Sequence, residues 1–253
     1  MTHAPLPIRI NPHALLAALV AVSYTPQSSA DQTREAFRQV LQQAGFTDES
    51  NLMAALGAKL GTPDVLFRNQ GVSVQLQASA IVFNGVLGKK AGNDTAAEPA
   101  DEYIEWARYF PVIQHVLTLL HNTGAASDFP HTAVRYINAL PGLPLNDQLR
   151  VKLPSLGSLP VPDSALYRAT FAEVRIAENG PVFEVELSLA DQQRVAGRTG
   201  KQSVFDVTVR APTSGLNLDA LLRHIDEAHT CEKQVFFGLL EPGYLDSLQP
   251  VYR

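Results

Sequence analysis

Cysteine is almost missing from this chain: Cys231 is the only one among 253 residues. One thiol closes no intramolecular disulfide and offers no cysteine pair to a metal, so disulfide scaffolds and cysteine-rich zinc modules are excluded and a reducing, cytoplasmic compartment is expected. Charge is sparse as well. Charged residues make up 18% of the chain and the net charge is -5, which gives no global attraction for a phosphate backbone. No window approaches the ~18 uninterrupted apolar residues of a membrane-spanning helix, so no membrane partner is expected. Nucleotide and serine-hydrolase signatures are also missing. The loop Gly197-Arg198-Thr199-Gly200-Lys201 has Val195 where a phosphate-binding loop needs its first glycine, and Gln202 where it needs serine or threonine. No serine sits in a Gly-x-Ser-x-Gly elbow.

What is present is enough to fold. An apolar fraction of 45% belongs to a globular chain with a sizeable core. Pro141, Pro144, Pro154, Pro160 and Pro162 punctuate one stretch. Proline fixes φ and lacks a backbone donor, so this stretch is neither helix interior nor central strand and reads as an extended connector. The expected organisation is an α+β half over 1–140, the connector over 141–162, and a β-meander with helices over 163–253.

Leu15 to Tyr24 reads as a buried strand between Pro12 and Pro26. Ser29 and Gln32 have capping-box spacing, and Ala36, Phe37, Val40, Leu41 and Ala44 form the apolar stripe of a helix ending at Gly45. From Val65 the pattern is extended: Val72, Val74 and Leu76 alternate with polar residues before Ile81 to Phe83. Gly88 to Asp101 reads as a polar loop. A helix is expected over roughly Glu102 to Asn122 on the stripe Trp106, Phe110, Ile113, Leu117 and Leu120, with Pro111 causing a kink or restart near Tyr109, before Gly124. Ala133 to Leu140 returns as a strand. Asn179-Gly180 marks a hairpin between Tyr167 to Ile176 and Val182 to Leu189; a third strand covers Val204 to Arg210, and a helix starts near Asn217. The fold class expected is α+β, with curved antiparallel sheet covered by long helices in two strand-then-helix halves.

Arg9, the run Leu15 to Val22 and Ser28-Ser29-Ala30 imitate a secretory leader, but Pro5, Pro7 and Pro12 and the single basic side chain fit one poorly.

Phe67-Arg68-Asn69 to Asn84, Trp106 to Phe110, Arg135-Tyr136-Ile137-Asn138, Phe205-Asp206-Val207 and His229 to Leu240 follow an order that resembles a sporadically distributed family of bacterial proteins with no agreed activity, catalytic residues or cofactor. Arg-Tyr-Ile-Asn is the most distinctive piece. The patchy occurrence of that family is the kind seen for defence and toxin-antitoxin neighbourhoods, which is association rather than mechanism.

Candidate chemistry competes with plain structural roles. His224 and His229 flank Asp226 and Glu227, but five residues place them about 140° apart on a helix, so no metal site is expected and both are read as solvent-facing. His115 and His121 share a helix six residues apart, and with His131 they are the weak candidates for hydrolase or nuclease chemistry. Arg135 and Tyr136 are candidates for a groove beside the long helix; the competing role for Arg135 is to tie a buried carboxylate. Trp106, Phe110 and Tyr136 are the candidate lining of a ligand pocket. Phe236, Phe237 and Tyr244 are candidate partner anchors, against ordinary core packing. Arg194, Arg198 and Lys201 form a weak anion-binding candidate on a hairpin tip.

The leading expectation is a non-enzymatic interaction protein, without cofactor, that binds a protein partner or a second copy through sheet edges or the groove beside the long helix, as an accessory of a bacterial defence or toxin-antitoxin locus. A small-ligand module and a metal-independent nuclease or hydrolase remain open alternatives. Nucleic acid is disfavoured by the net charge.

Overall fold

A computed structural model describes residues 6–8, 10, 14–49, 65–69, 71–85, 105–141, 149–150, 166–176, 178, 180–195 and 198–252. Its strands are β1 (Leu15–Ser23), β2 (Thr25–Pro26), β3 (Thr47–Asp48), β4 (Val65–Asn69), β5 (Val72–Leu76), β6 (Ala80–Asn84), β7 (Ala126–Asp128), β8 (His131–Pro141), β9 (Leu166–Val174), β10 (Phe183–Arg194) and β11 (Lys201–Pro212). The helices are α1 (Ala30–Gln43), α2 (Trp106–Asn122), α3 (Leu218–Leu239) and α4 (Pro242–Ser247). This is the expected α+β mixture around a mostly antiparallel sheet that does not close on itself. The strands run in the order β3-β4-β5-β6-β1 and, further along the chain, β8-β11-β10-β9, and β2-β7 form a separate ribbon. The loop expected over 88–101 and nearly all of the proline connector lie outside the described residues.

The chain divides into two compact units. One comprises Ala18–Ala133 and Ala211–Asp226 and holds α1 and α2; the other, a hairpin unit, comprises Met1–Ala17, Val134–Arg210 and Glu227–Arg253.

In the α1–α2 unit the apolar run read from the sequence is β1, whose Val20 and Val22 stand opposite Phe83 and Ile81 of β6. The capping box forms as the spacing predicts: Ser29 Oγ accepts from Gln32 N at 3.3 Å, and Gln32 Oε1 accepts from Ser29 N at 3.4 Å. Phe37 and Leu41 are buried, and the Tyr24 ring meets Phe37 edge-on at 5.2 Å. Gly45 adopts φ 83, which lets Phe46 N reach back to Leu41 O at 3.0 Å and closes α1.

Helix α2 buries Tyr109, Ile113, Val116, Leu117 and Leu120. It runs through Pro111 as one continuous helix, so of the kink or restart expected there the restart does not occur. Pro111 sits in the second turn, where it forfeits only the bond to the Ala107 carbonyl, and its ring is on the exposed side of the helix.

In the hairpin unit Phe183, Val185, Leu187 and Leu189 of β10 and Phe205, Val207 and Val209 of β11 are buried, while Glu184 and Arg210 are exposed. The two strands pair from Glu184↔Arg210 to Arg194↔Lys201, farther than the alternation alone indicated. Helix α3, whose residues to Asp226 belong to the α1–α2 unit and from Glu227 to the hairpin unit, runs on to Leu239. Asn217 Oδ1 accepts from Ala220 N at 2.9 Å at its start, and its buried positions are Leu221, Ile225, Ala228, His229, Cys231, Glu232, Phe236 and Phe237. After α3, Arg150 N donates to Leu239 O and Arg150 Nε to Leu240 O, both at 2.9 Å.

Candidate functional site

Strand β9 ends the sheet order, with β10 on one side and no further strand among the described residues on the other. Its register against β10 sets Tyr167 opposite Leu189, Ala169 opposite Leu187 and Phe171 opposite Val185. Directly opposite residues share a face, so these three belong to the face on which β10 buries its apolar side chains. Val185, Leu187 and Leu189 are at most 5% exposed, whereas Phe171 is 49% exposed. The apolar face therefore extends past its cover onto the last strand. Exposed large apolar groups beside a strand edge mark an interaction surface more often than an isolated exposed leucine does.

The other face of β9 is polar and engaged. Arg168 Nε donates to Ser188 Oγ at 3.3 Å and lies 3.6 Å from Glu186 Oε1, and Arg210 reaches Glu184 at 3.3 Å and Glu186 at 2.9 Å. Pairing stays regular from Leu166 to Phe171. Between Phe171 and Val174 β9 then carries one residue more than β10 opposite it, a bulge in which Glu173 takes φ 57. A side chain other than glycine or asparagine rarely takes this left-handed conformation, so the bulge fixes where regular pairing stops.

A second feature is buried. Tyr136 and Asn138 point to one face of β8, and His229 and Glu232 lie one turn apart on α3. The rings of Tyr136 and His229 are 5.3 Å apart. Glu232 is 2% exposed, and neither its Oε1 nor Asn138 Nδ2 has a hydrogen-bond partner among the described residues. Burial pushes the Glu232 carboxyl up to about 8, with Lys233 opposing, and holds the His229 imidazole down at about 3, with Lys233 adding to it. Both groups are accordingly neutral at pH 7, because burial penalises the charged form of each. The expectation of a solvent-facing His229 is corrected: it falls on the buried stripe of α3. That signal was in the sequence, because steps of three and four from Ile225 lead through His229, Glu232 and Phe236, but the apolar pattern breaks there.

The other candidates are distributed as follows. His115, His121 and His131 are all exposed, and among the described residues no group of three His, Cys, Asp or Glu side chains could hold a metal ion. His131 lies near Asp128, whose carboxylate accepts from Ser214 Oγ, Gly215 N and Phe129 N, bonds that hold it below the usual carboxylate range, the Ser214 bond foremost. Ser214 thus donates to an aspartate and not to a histidine, which is a turn staple and not an activated nucleophile. Cys231 is buried and its thiol is pushed up to about 11, mainly by desolvation.

Arg135 ties a carboxylate, but a partly exposed one and not the buried one expected: Nε and Nη2 donate to Asp206 Oδ1 and Oδ2 at 2.9 and 2.6 Å. Tyr136 is buried. Trp106 stacks on Phe110 at 5.1 Å and donates its indole N–H to Asp226 Oδ1 at 2.7 Å. Phe236 and Phe237 are also buried, with Phe236 edge-on to Phe205 at 5.7 Å and to Phe237 at 5.0 Å. A partner reaches neither ring unless this packing opens, so both serve the core of the hairpin unit in this conformation. Tyr244 is half-buried and donates to Pro141 O at 2.9 Å, and burial pushes its phenol up to about 12. Arg194 and Lys201 stand directly opposite in the β10–β11 register with Arg198 in the turn beyond, so this basic trio does come together.

No protein-family model matches the chain, and no significantly similar curated protein or solved structure was found. No helix among the described residues is long and apolar enough to cross a membrane.

Proposed function

We propose that this chain is a non-enzymatic interaction protein whose docking element is the terminal strand β9. The observation that carries the reading is Phe171: an aromatic ring, 49% exposed, on the core-side face of the last strand in the sheet among the described residues. A strand at a sheet edge supplies backbone donors and acceptors to an added strand, and a half-covered apolar row beside it supplies the side-chain contacts that make such pairing selective. A place in a defence or toxin-antitoxin locus rests on the sequence resemblance alone. The test is affinity capture from the native host with the wild-type chain and with Phe171→Lys. Proteins retained by the wild type and lost with the variant are expected; identical captures contradict the reading.

One observation favours a second reading, contact with an anionic polymer. Arg194 across from Lys201 places like charges opposite each other, an arrangement that costs stability and that a phosphate would relieve. Nucleic acid retained by the wild type and released by Arg194→Ala/Lys201→Ala would support it.

A further inference from the structure

We infer that the partner of β9 is a second copy of this chain, paired antiparallel about a two-fold axis that passes through Ala169; this rests on the edge reading above. A two-fold normal to the sheet keeps every side chain on its own face, so only registers that pair residues of the same parity are open. The sequence of β9, Leu-Tyr-Arg-Ala-Thr-Phe-Ala-Glu-Val, decides among them. Centring on Arg168 sets that guanidinium against itself. Centring on Thr170 places Tyr167 opposite Glu173 and forces pairing into the bulge, and centring on Phe171 sets Ala169 opposite Glu173 with the same fault.

Centring on Ala169 has none of these conflicts. Leu166 then pairs with Ala172 of the second copy, Tyr167 with Phe171, and Arg168 with Thr170, so pairing spans the stretch from Leu166 to Ala172 and stops before Glu173 departs from extended geometry. The half-exposed Phe171 acquires Tyr167 as a cross-strand aromatic neighbour, and the contact occurs twice. The smallest side chain of the row, Ala169, sits on the axis where two copies approach most closely.

Charge tolerates the same arrangement: Arg168 stands opposite Thr170 of the second copy and keeps Glu186 of its own chain at 3.6 Å, whereas parallel in-register pairing would set each Arg168 and each Glu173 against its own copy. A single strand pair buries less than a standard stable interface, so the dimer is weak and depends on concentration.

The test is sedimentation of the purified full-length chain over a wide concentration range, with cysteine cross-linking alongside. The wild type is expected to pass from 27.5 kDa to about twice that mass as concentration rises. Phe171→Lys is expected to stay monomeric with an unchanged thermal midpoint, because the ring it replaces is half in solvent. Ala169→Cys is expected to give a covalent dimer on oxidation and Thr170→Cys far less, since only the former meets its own copy; the native Cys231 is buried and does not compete. A wild type that is monomeric throughout overturns the second copy as partner, while capture of a different protein that Phe171→Lys abolishes would leave the edge reading standing. A dimer that survives Phe171→Lys overturns both.

Discussion

Tyr136 and His229 face each other inside the hairpin unit with ring centroids 5.3 Å apart, and one helical turn beyond His229 the carboxyl of Glu232 is buried. Two ionisable groups on one buried stripe give the chain a defined stability-versus-pH profile. The folded Glu232 pKa is raised from 4.5 to about 8, so its contribution is complete below 4.5 and is lost as pH rises toward 8. The folded His229 pKa is lowered from 6.5 to about 3, so its contribution is complete above 6.5 and is lost as pH falls toward 3. Between 4.5 and 6.5 the two effects cancel. Stability is expected to be flat there and to fall by about 2 kcal/mol between pH 6.5 and 8. Glu232→Gln abolishes the alkaline fall and keeps the acidic one, as urea denaturation across pH would record.

Arg135 and Asp206 make a bidentate pair, but their side chains are 45% and 23% exposed. Water screens such a pair, so a double-mutant cycle with Arg135→Ala and Asp206→Ala is expected to give a coupling of about 1 kcal/mol or less. A much larger coupling, or loss of partner capture with Arg135→Ala alone, would return Arg135 to the list of functional groups.

Trp106 is the only tryptophan, so fluorescence reports on the α1–α2 unit alone. Its indole N–H donates to the Asp226 carboxylate at 2.7 Å. Asp226→Ala removes that acceptor at a partly solvated site, with an expected cost of about 1 kcal/mol in urea and a shifted Trp106 emission maximum. An unshifted spectrum would mean that the indole is not held by this bond in solution.

The elements that follow from short-range pattern were legible in the sequence. The Ser29/Gln32 capping box, the alternation of Val72, Val74 and Leu76, and the antiparallel pairing of β9 with β10, the strands on either side of Asn179-Gly180, each depend on neighbours close in sequence. What escaped depends on distant parts of the chain. Nothing local tells that β9 ends the sheet or that Phe171 outruns its cover, because both follow from strand order. His229 and Glu232 escaped for another reason. Polar residues on a buried stripe break the apolar periodicity by which a helix face is traced. Phe236 and Phe237 show the reverse: aromatic side chains that suit a binding surface equally suit a core, and only packing against Phe205 distinguishes the two.

The most direct test of the docking strand is amide hydrogen exchange across β9, measured on the purified chain at low concentration and again when saturated with its partner, whether a second copy or a captured protein. Slowed exchange confined to residues 166–172, with α1 and α2 unchanged, is the predicted result. Protection that appears elsewhere while β9 exchanges at its free rate would contradict the account.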